Sequence, residues 1–286
     1  RVVVGEGPRP LLDARTHSDG RVLFLAQATD GAGPGPWPVT VEVGGAKTSA
    51  TLAAAGPDLT VTVGPAAGDP GQLDVVFLLD ATGSMGDELG RLATNMASTA
   101  AKVSAAAGDG VRPRFGLTAF KDRGDDYVTR TFGLTADLGA FRTALAAVTA
   151  GGGGDTPESL AAGLHEAVTK QPWGGDDVAK VIVLVGDAAP PEYQDEPDYA
   201  ADARDAAARG IRIHAIASSG LGDQGEYAFR QLAQLTAGRF VFLTYGADGG
   251  PGEITPHHVD KYAVKSLDEL VATLLIEELQ PGRQTQ

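Results

Sequence analysis

The chain is 286 residues long, 43% hydrophobic, and carries a formal net charge of -14 with no cysteine. That length gives one large domain or two ordinary ones with a sizeable core. The acidic balance repels polyphosphates and excludes nucleic acid as a natural partner, pointing instead to cationic partners or metal ions; the missing cysteines exclude disulfides, thiolate metal sites and cysteine nucleophiles. No apolar run approaches the ~20 residues that cross a bilayer, so no membrane span is expected. The chain begins Arg1-Val2-Val3-Val4 rather than with an initiator Met, and is expected to be a fragment of a longer protein.

Residues 1–72 are rich in turn residues and short alternating segments. Val22 to Leu25, Val39 to Val43, Lys47 to Leu52 and Leu59 to Val63 read as strands, with Gly44-Gly45 as a hairpin turn and Asp19-Gly20 as another. No helical period is present, so a small β-sandwich is expected over 1–64. The segment Asp13 to Arg21 resembles the hairpin of transthyretin-like (carboxypeptidase regulatory-like) β-sandwiches. Residues 65–72, with Pro65, Pro70 and several glycines, read as a linker.

From residue 73 strands and helices alternate. Leu73 to Leu79 is an apolar strand, and Leu89, Leu92, Met96, Ala100 and Val103 fall on one face of the helix after it. Arg114 to Phe120 is a strand, and Tyr127 to Phe132 follows so closely that the two must form a hairpin, which makes the second an antiparallel edge. Helices are expected over Asp137 to Val148 and Ser159 to Lys170, the latter opened by Asp155-Thr156-Pro157-Glu158, where Asp155 or Thr156 can cap it. Val181 to Val185 is an unbroken apolar run, as in a central parallel strand buried on both faces. A helix over Asp198 to Arg209, a strand over Ile211 to Ala217, a helix over Gly225 to Ala237 and a strand over Arg239 to Thr244 complete the alternation. Ser266-Leu267-Asp268-Glu269 is a capping box for a last helix with Leu267, Leu270, Val271, Leu274 and Leu275 inward. The pattern specifies an α/β fold, a doubly wound, mostly parallel open sheet with helices on both faces, over 73–281 and with a tail at 282–286.

In such a sheet functional residues collect in loops at the carboxyl ends of the strands. Three such loops carry oxygen ligands: Asp80-Ala81-Thr82-Gly83-Ser84, then Gly151 to Thr156, then Gly186-Asp187. An all-oxygen set with no His or Cys suits a hard divalent cation, Mg²⁺ first, with Mn²⁺ or Ca²⁺ as alternatives. The same residues can also be read as helix caps and turns, because Asp, Thr and Ser crowd into strand-to-helix turns.

These motifs resemble the von Willebrand factor type A (vWA) domain and its metal-ion-dependent adhesion site, over about residues 73–280. The pattern Asp-x-Ser/Thr-x-Ser, then Thr or Asp, then Asp, maps onto Asp80, Thr82 and Ser84, then Thr156 (or Asp155), then Asp187. The resemblance implies that Ser84 and Thr82 bind the cation directly while Asp80 and Asp187 act largely through waters. Thr156 is preferred as the fourth ligand, with Asp155 beside it; a direct Asp155 would hold the ion more tightly and leave it less electrophilic. One coordination position is then left for an acidic group of a partner. This implies a non-enzymatic, cation-dependent protein-binding module whose partner offers an Asp or Glu carboxylate.

Other features are weaker. The glycine run 151–154 lacks the Gly-Lys-Ser/Thr of a phosphate-binding loop. An Asp-x-Asp phosphatase needs a second Asp where Thr82 stands. His165 and His214 are isolated in a helix and a strand, and His257-His258 with Asp260 read as a solvated loop. Arg123-Gly124-Asp125 spells an integrin-recognition tripeptide but lies on a hairpin that explains it. Asp122, Asp125, Asp126, Glu192, Asp195, Glu196 and Asp198 are expected to form an acidic rim. An intracellular assembly scaffold and a metal-dependent hydrolase with Asp187 or Asp155 as base are the rival readings. The β-rich first region favours a secreted or cell-surface location over the cytoplasm.

Overall fold

The computed structural model describes residues 1–56, 58–64, 71–107, 111–153, 158–191, 193–218, 220–243 and 267–279. Its centre is a six-stranded sheet built from β5 (Gln72–Asp80), β6 (Arg112–Phe120), β7 (Thr129–Thr135), β8 (Val178–Gly186), β9 (Ile211–Ala217) and β10 (Phe240–Phe242). The strand order is β10-β9-β8-β5-β6-β7, and β5 lies at the centre. All neighbours are parallel except β6 and β7, which form the expected antiparallel hairpin at one edge.

The alternation of side chains along β5 divides the core in two. Leu73, Val75, Phe77 and Leu79 enter one apolar layer, which is closed by helices α1 (Gly86–Ala107), α2 (Leu138–Ala146) and α6 (Leu267–Leu279). Val76 and Leu78 enter the other, closed by α3 (Leu160–Thr169), α4 (Tyr199–Ala208) and α5 (Asp223–Leu235). Every residue expected on the buried faces of α1 and α6 is buried. Each fully buried Leu, Val or Phe stabilises the fold by about 1.5–3 kcal/mol, so these layers, and not local propensity, hold the loops at the strand ends. Asp137 and Asp198 cap α2 and α4 through their carboxylates. The boundary shifts from the sequence reading are one to three residues, the usual fraying; Ser266 and Thr244 lie outside the described residues.

Residues 1–52 form one antiparallel sheet of β1 (Val2–Val4), β2 (Leu12–Ala14), β3 (Trp37–Val43) and β4 (Ala46–Leu52), in the order β2-β1-β3-β4. The Gly44-Gly45 hairpin joins β3 to β4 with both glycines at positive φ. Val22 to Leu25 and Leu59 to Val63, expected as strands, join no ladder. Val22 and Phe24 instead lay their side chains on the small core of Val2, Val4 and Val39, with Phe24 edge-on to Trp37 at 5.5 Å. Among the described residues there is therefore a single sheet here, without a second facing it.

This sheet is tied to the start edge of the large one. Arg15 N–H donates to Ala208 C=O at 2.8 Å, and the tight turn His17–Arg21 reaches β9 and α6. Arg212, on β9, donates to Asp19 at 2.9 Å and to Glu278 of α6 at 2.5 Å, while Ser18 donates to the other Glu278 oxygen at 2.6 Å. His214 Nε2 lies 3.3 Å from Glu278.

Candidate metal centre

The carboxyl end of β5 sets the site. Asp80 is its last residue and is fully buried. The chain then turns sharply: Thr82 N–H and the Thr82 hydroxyl both donate to Asp80 Oδ1, at 3.0 and 2.6 Å. Thr82 is extended (φ -73°, ψ 170°) and precedes the short 3-10 turn Gly83–Met85 without capping it. Its hydroxyl faces back to Asp80 and comes within 3.4 Å of the Ser84 hydroxyl. Thr82 therefore does not cap the short turn; its hydroxyl faces Asp80, whose carboxylate closes the turn through the Thr82 N–H.

The second loop is braced against this turn by its backbone. Gly151 N–H donates to Ala81 C=O at 3.1 Å, and Gly83 N–H to Gly152 C=O at 3.2 Å. Gly152 and Gly153 hold φ of +81° and +70°, and a Cβ on Gly153 would stand 2.8 Å from Thr82 Cβ. Only glycine fits both the dihedral and the approach. Asp125 accepts from Gly153 N–H at 3.3 Å and fills the space a Cβ on Gly152 would need. Asp155 and Thr156 lie outside the described residues.

The third loop follows β8. Asp187, directly after Gly186, lies close enough to the Ser84 hydroxyl and the Asp80 carboxylate to interact with both. Asp80, Thr82, Ser84 and Asp187 therefore converge. Asp80 Oδ2 is buried and has no hydrogen-bond partner among the described residues. Burial pushes the Asp80 carboxyl up to about 7; the hydrogen bonds from Thr82 oppose this and the charge of Asp187 adds to it. Asp187 is also raised, by burial first, with Ser84 pulling the other way. Two carboxylates that resist ionising side by side are stabilised by a cation between them.

Sequence reasoning missed Glu158. It is 3% exposed, and burial followed by the charges of Asp80, Asp122, Asp125 and Asp187 pushes its carboxyl up to about 8. A glutamate ahead of a helix reads as an ordinary first-turn residue; its nearness to Asp155-Thr156 was the available signal. The expected acidic rim is largely engaged. Asp122 accepts from Ser159 at 3.0 Å and from Tyr193 at 2.9 Å. Arg123 stacks on Tyr193 and pairs with Asp195 at 2.8 Å, and Lys121 pairs with Asp126 at 2.8 Å. Asp198 caps α4 and Glu192 lies outside the described residues. In the Arg123-Gly124-Asp125 tripeptide both charged side chains are used inside the chain, Arg123 on the third loop and Asp125 on the second. His165 contacts Asp202 on α4, and His214 belongs to the Arg212 network; neither is near the site. His257, His258 and Asp260 lie outside the described residues. Among the described residues no three His, Asp or Glu side chains enclose a metal position by themselves.

The family model for the von Willebrand factor type A domain matches residues 74–246. The chain belongs to the vWA domain family. The match runs from β5 to just past β10 and includes all three loops of the site. No curated protein matches the chain. Among solved structures, this vWA chain is similar to proximal thread matrix protein 1 from the mussel byssus, at 20% identity over 59% of this chain and 41% of that one, with a TM-score of 0.45. It is also similar to the pilus adhesin SpaC from Lactobacillus rhamnosus GG (17%, 73% and 30%, TM-score 0.46). A third is the vWF domain of the type V pili tip protein Mfa5 from Porphyromonas gingivalis (14%, 62% and 90%, TM-score 0.42). The chain thus spans about two fifths of the mussel protein and three tenths of the SpaC chain. No helix among the described residues is long and apolar enough to cross a membrane.

Proposed function

We propose that this vWA chain is a protein-binding module that works through a divalent cation at the carboxyl edge of its sheet, and that it is not an enzyme. In this reading Thr82 and Ser84 offer neutral hydroxyls to the ion, Asp80 and Asp187 hold its waters, and Thr156 or Asp155 contributes from the glycine-rich loop. Mg²⁺ fits an all-oxygen site that keeps water; Mn²⁺ and Ca²⁺ are the alternatives. Hydroxyl ligands leave the ion electron-poor, so an Asp or Glu carboxylate of a partner protein completes it. The observation that carries the reading is the convergence of Thr82, Ser84 and Asp187 on Asp80, one of whose buried oxygens has no hydrogen-bond partner among the described residues.

A secreted or cell-surface location and an organisation into an N-terminal module (1–64), a linker (65–72) and the vWA domain (73–281) belong to the same proposal. Calorimetric titration with Mg²⁺ tests its first step: saturable binding is expected, and Asp80→Ala abolishes it. A partner captured from native extracts with Mg²⁺ and released by chelator tests the second. Absence of Mg²⁺ binding to the intact chain would sink the proposal.

A further inference from the structure

The small N-terminal sheet ends in a long, regular edge. Among the described residues β4 (Ala46–Leu52) pairs only with β3 and stands last in the order β2-β1-β3-β4. Its register fixes which backbone groups are left over. Val43 and Ala46 close the two-residue Gly44-Gly45 turn, so they form a hydrogen-bonded pair, and Ala46, Thr48, Ala50 and Leu52 turn their N–H and C=O groups toward β3. Lys47, Ser49 and Thr51 therefore turn theirs outward; all three residues are exposed, and no backbone bond reaches them among the described residues. The other strand edges are blunted in the usual ways. β2 is three residues long and runs into Arg15, whose N–H is taken by Ala208 of α4, and β10 also has three residues. β7 carries Arg130 and loses register opposite Phe115 and Leu117. β4 has seven residues, no proline, no register shift and a single charge, Lys47.

Two features of this edge suit a second copy of itself. The first is its pattern. In antiparallel pairing centred on Ser49, Ser49 meets Ser49 and Lys47 meets Thr51, so no like charges stand opposite, and the outward groups exchange ~6 hydrogen bonds. On the apolar side Ala46 meets Leu52, so the row that ends at Val43, 40% exposed, continues onto Leu52 and Trp37 of the second copy. The second feature is charge. Residues 1–52 hold five basic and five acidic side chains, whereas the whole chain carries -14. Two copies repel each other over most of their surface but not at this end.

We propose that two copies of this chain associate by joining their β4 edges antiparallel about Ser49, which makes one continuous sheet of the two small ones. Seven residues a side is a small interface, so the dimer falls in the weak class below ~1,200 Å² and depends on concentration.

Sedimentation velocity of the intact chain in chelator tests this. Chelator keeps any cation-bridged association at the carboxyl edge out of the measurement, so the outcome is independent of the function proposed above. The parent is expected to pass from monomer toward dimer between about 10 and about 500 μM. Ser49→Lys and Ser49→Asp each set like charges opposite one another on the exposed polar side and are expected to weaken self-association about fivefold, while an equimolar mixture of the two regains the parent's affinity. Both change an exposed side chain whose backbone groups β3 does not use, so the fold is kept. Ser49→Cys, in a chain without native cysteine, is expected to form an intermolecular disulfide on mild oxidation, because opposed residues of a hydrogen-bonded pair stand ~5.5 Å apart at Cα. Ser104→Cys, exposed on α1, is expected to stay monomeric. A parent that remains monomeric over that range overturns the proposal and leaves the edge to a strand of another protein. A dimer that Ser49→Lys does not weaken, or a mixture no tighter than Ser49→Lys alone, overturns it too, since either puts the contact elsewhere.

Discussion

Arg212→Met is the sharpest probe of how the two sheets are held together. The Arg212 side chain is 9% exposed and bridges Asp19, also 9% exposed, and Glu278, 4% exposed. Methionine keeps much of the volume and removes the guanidinium, so both carboxylates lose their cation while remaining buried. Breaking a buried pair from one side costs about 3–5 kcal/mol. At ~2–4 °C per kcal/mol for a domain of this size, the melting temperature should fall by about 6–20 °C. Thermal unfolding followed by circular dichroism at pH 7 reads this directly. Adding Glu278→Leu to Arg212→Met removes one of the two stranded charges and should recover part of the loss, with a coupling of about 0.5–3 kcal/mol. A fall of less than about 1 kcal/mol, or two strictly additive losses, would refute the view that this network locks the turn His17–Arg21 and α6 onto β9.

Saturating Mg²⁺ should raise the melting temperature of the parent, by about 2.7 kcal/mol of stabilisation at a hundredfold excess over Kd, and leave Asp80→Ala unmoved in the same scan. Gly153→Ala places a Cβ 2.8 Å from Thr82 Cβ at a φ of +70°; it should cost about 1–3 kcal/mol and weaken Mg²⁺ binding in calorimetry, because Thr82 must shift. His17 should contribute a loss of stability on acidification, set against the opposite contribution of the raised Asp80 and Glu158 carboxyls in the metal-free chain. Burial, and then the charge of Arg212, hold His17 down at about 4, so from pH 6.5 downward the unfolded chain takes up a proton that the folded one refuses, for a loss of roughly 3 kcal/mol at most by pH 4. Glu278 is held at about 2, its burial outweighed by His214, Arg212 and Ser18, so its contribution is intact above pH 4.5 and drains below it. Denaturant melts of the parent and of His17→Asn at pH 7 and pH 4 check the first window; an equal pH response in the two would count against a buried neutral His17.

The large sheet was legible because its signals are local. Val181 to Val185 has no polar break, the buried face of α1 repeats every three or four residues, and the short link after Phe120 allows only a hairpin. The first region was read less well, for a physical reason. Alternation in Val22–Leu25 reports which side chains face a core, and Val22 and Phe24 do face one, but it says nothing about whether the backbone finds a free strand edge. At the site, Asp80, Thr82, Ser84 and Asp187 were legible because strand ends in an open sheet mark where function collects. Glu158 was not, because its burial comes from Gly153 and the acids around it. The Arg212 network is beyond any local pattern: its partners stand 193 and 66 residues away.

The two edges of the sheet treat their most deeply buried acids differently, and this difference supports the proposed cation site. At the start edge each buried carboxylate meets arginine. Asp74 takes a two-pronged contact from Arg114 at 2.8 and 2.6 Å, and Asp19 and Glu278 share Arg212. At the carboxyl edge Asp80 and Glu158 are as deeply buried, yet each keeps an oxygen with no partner among the described residues. The nearest ammonium, that of Lys121, is drawn off by Asp126 and the Tyr127 ring. A chain able to place arginines against three acids on one edge has left the other edge short of positive charge, and a balanced structural core would have no reason to do so. Under the proposed function an ion from solution would supply that charge with free coordination positions to spare, and those positions are what a partner's carboxylate would need.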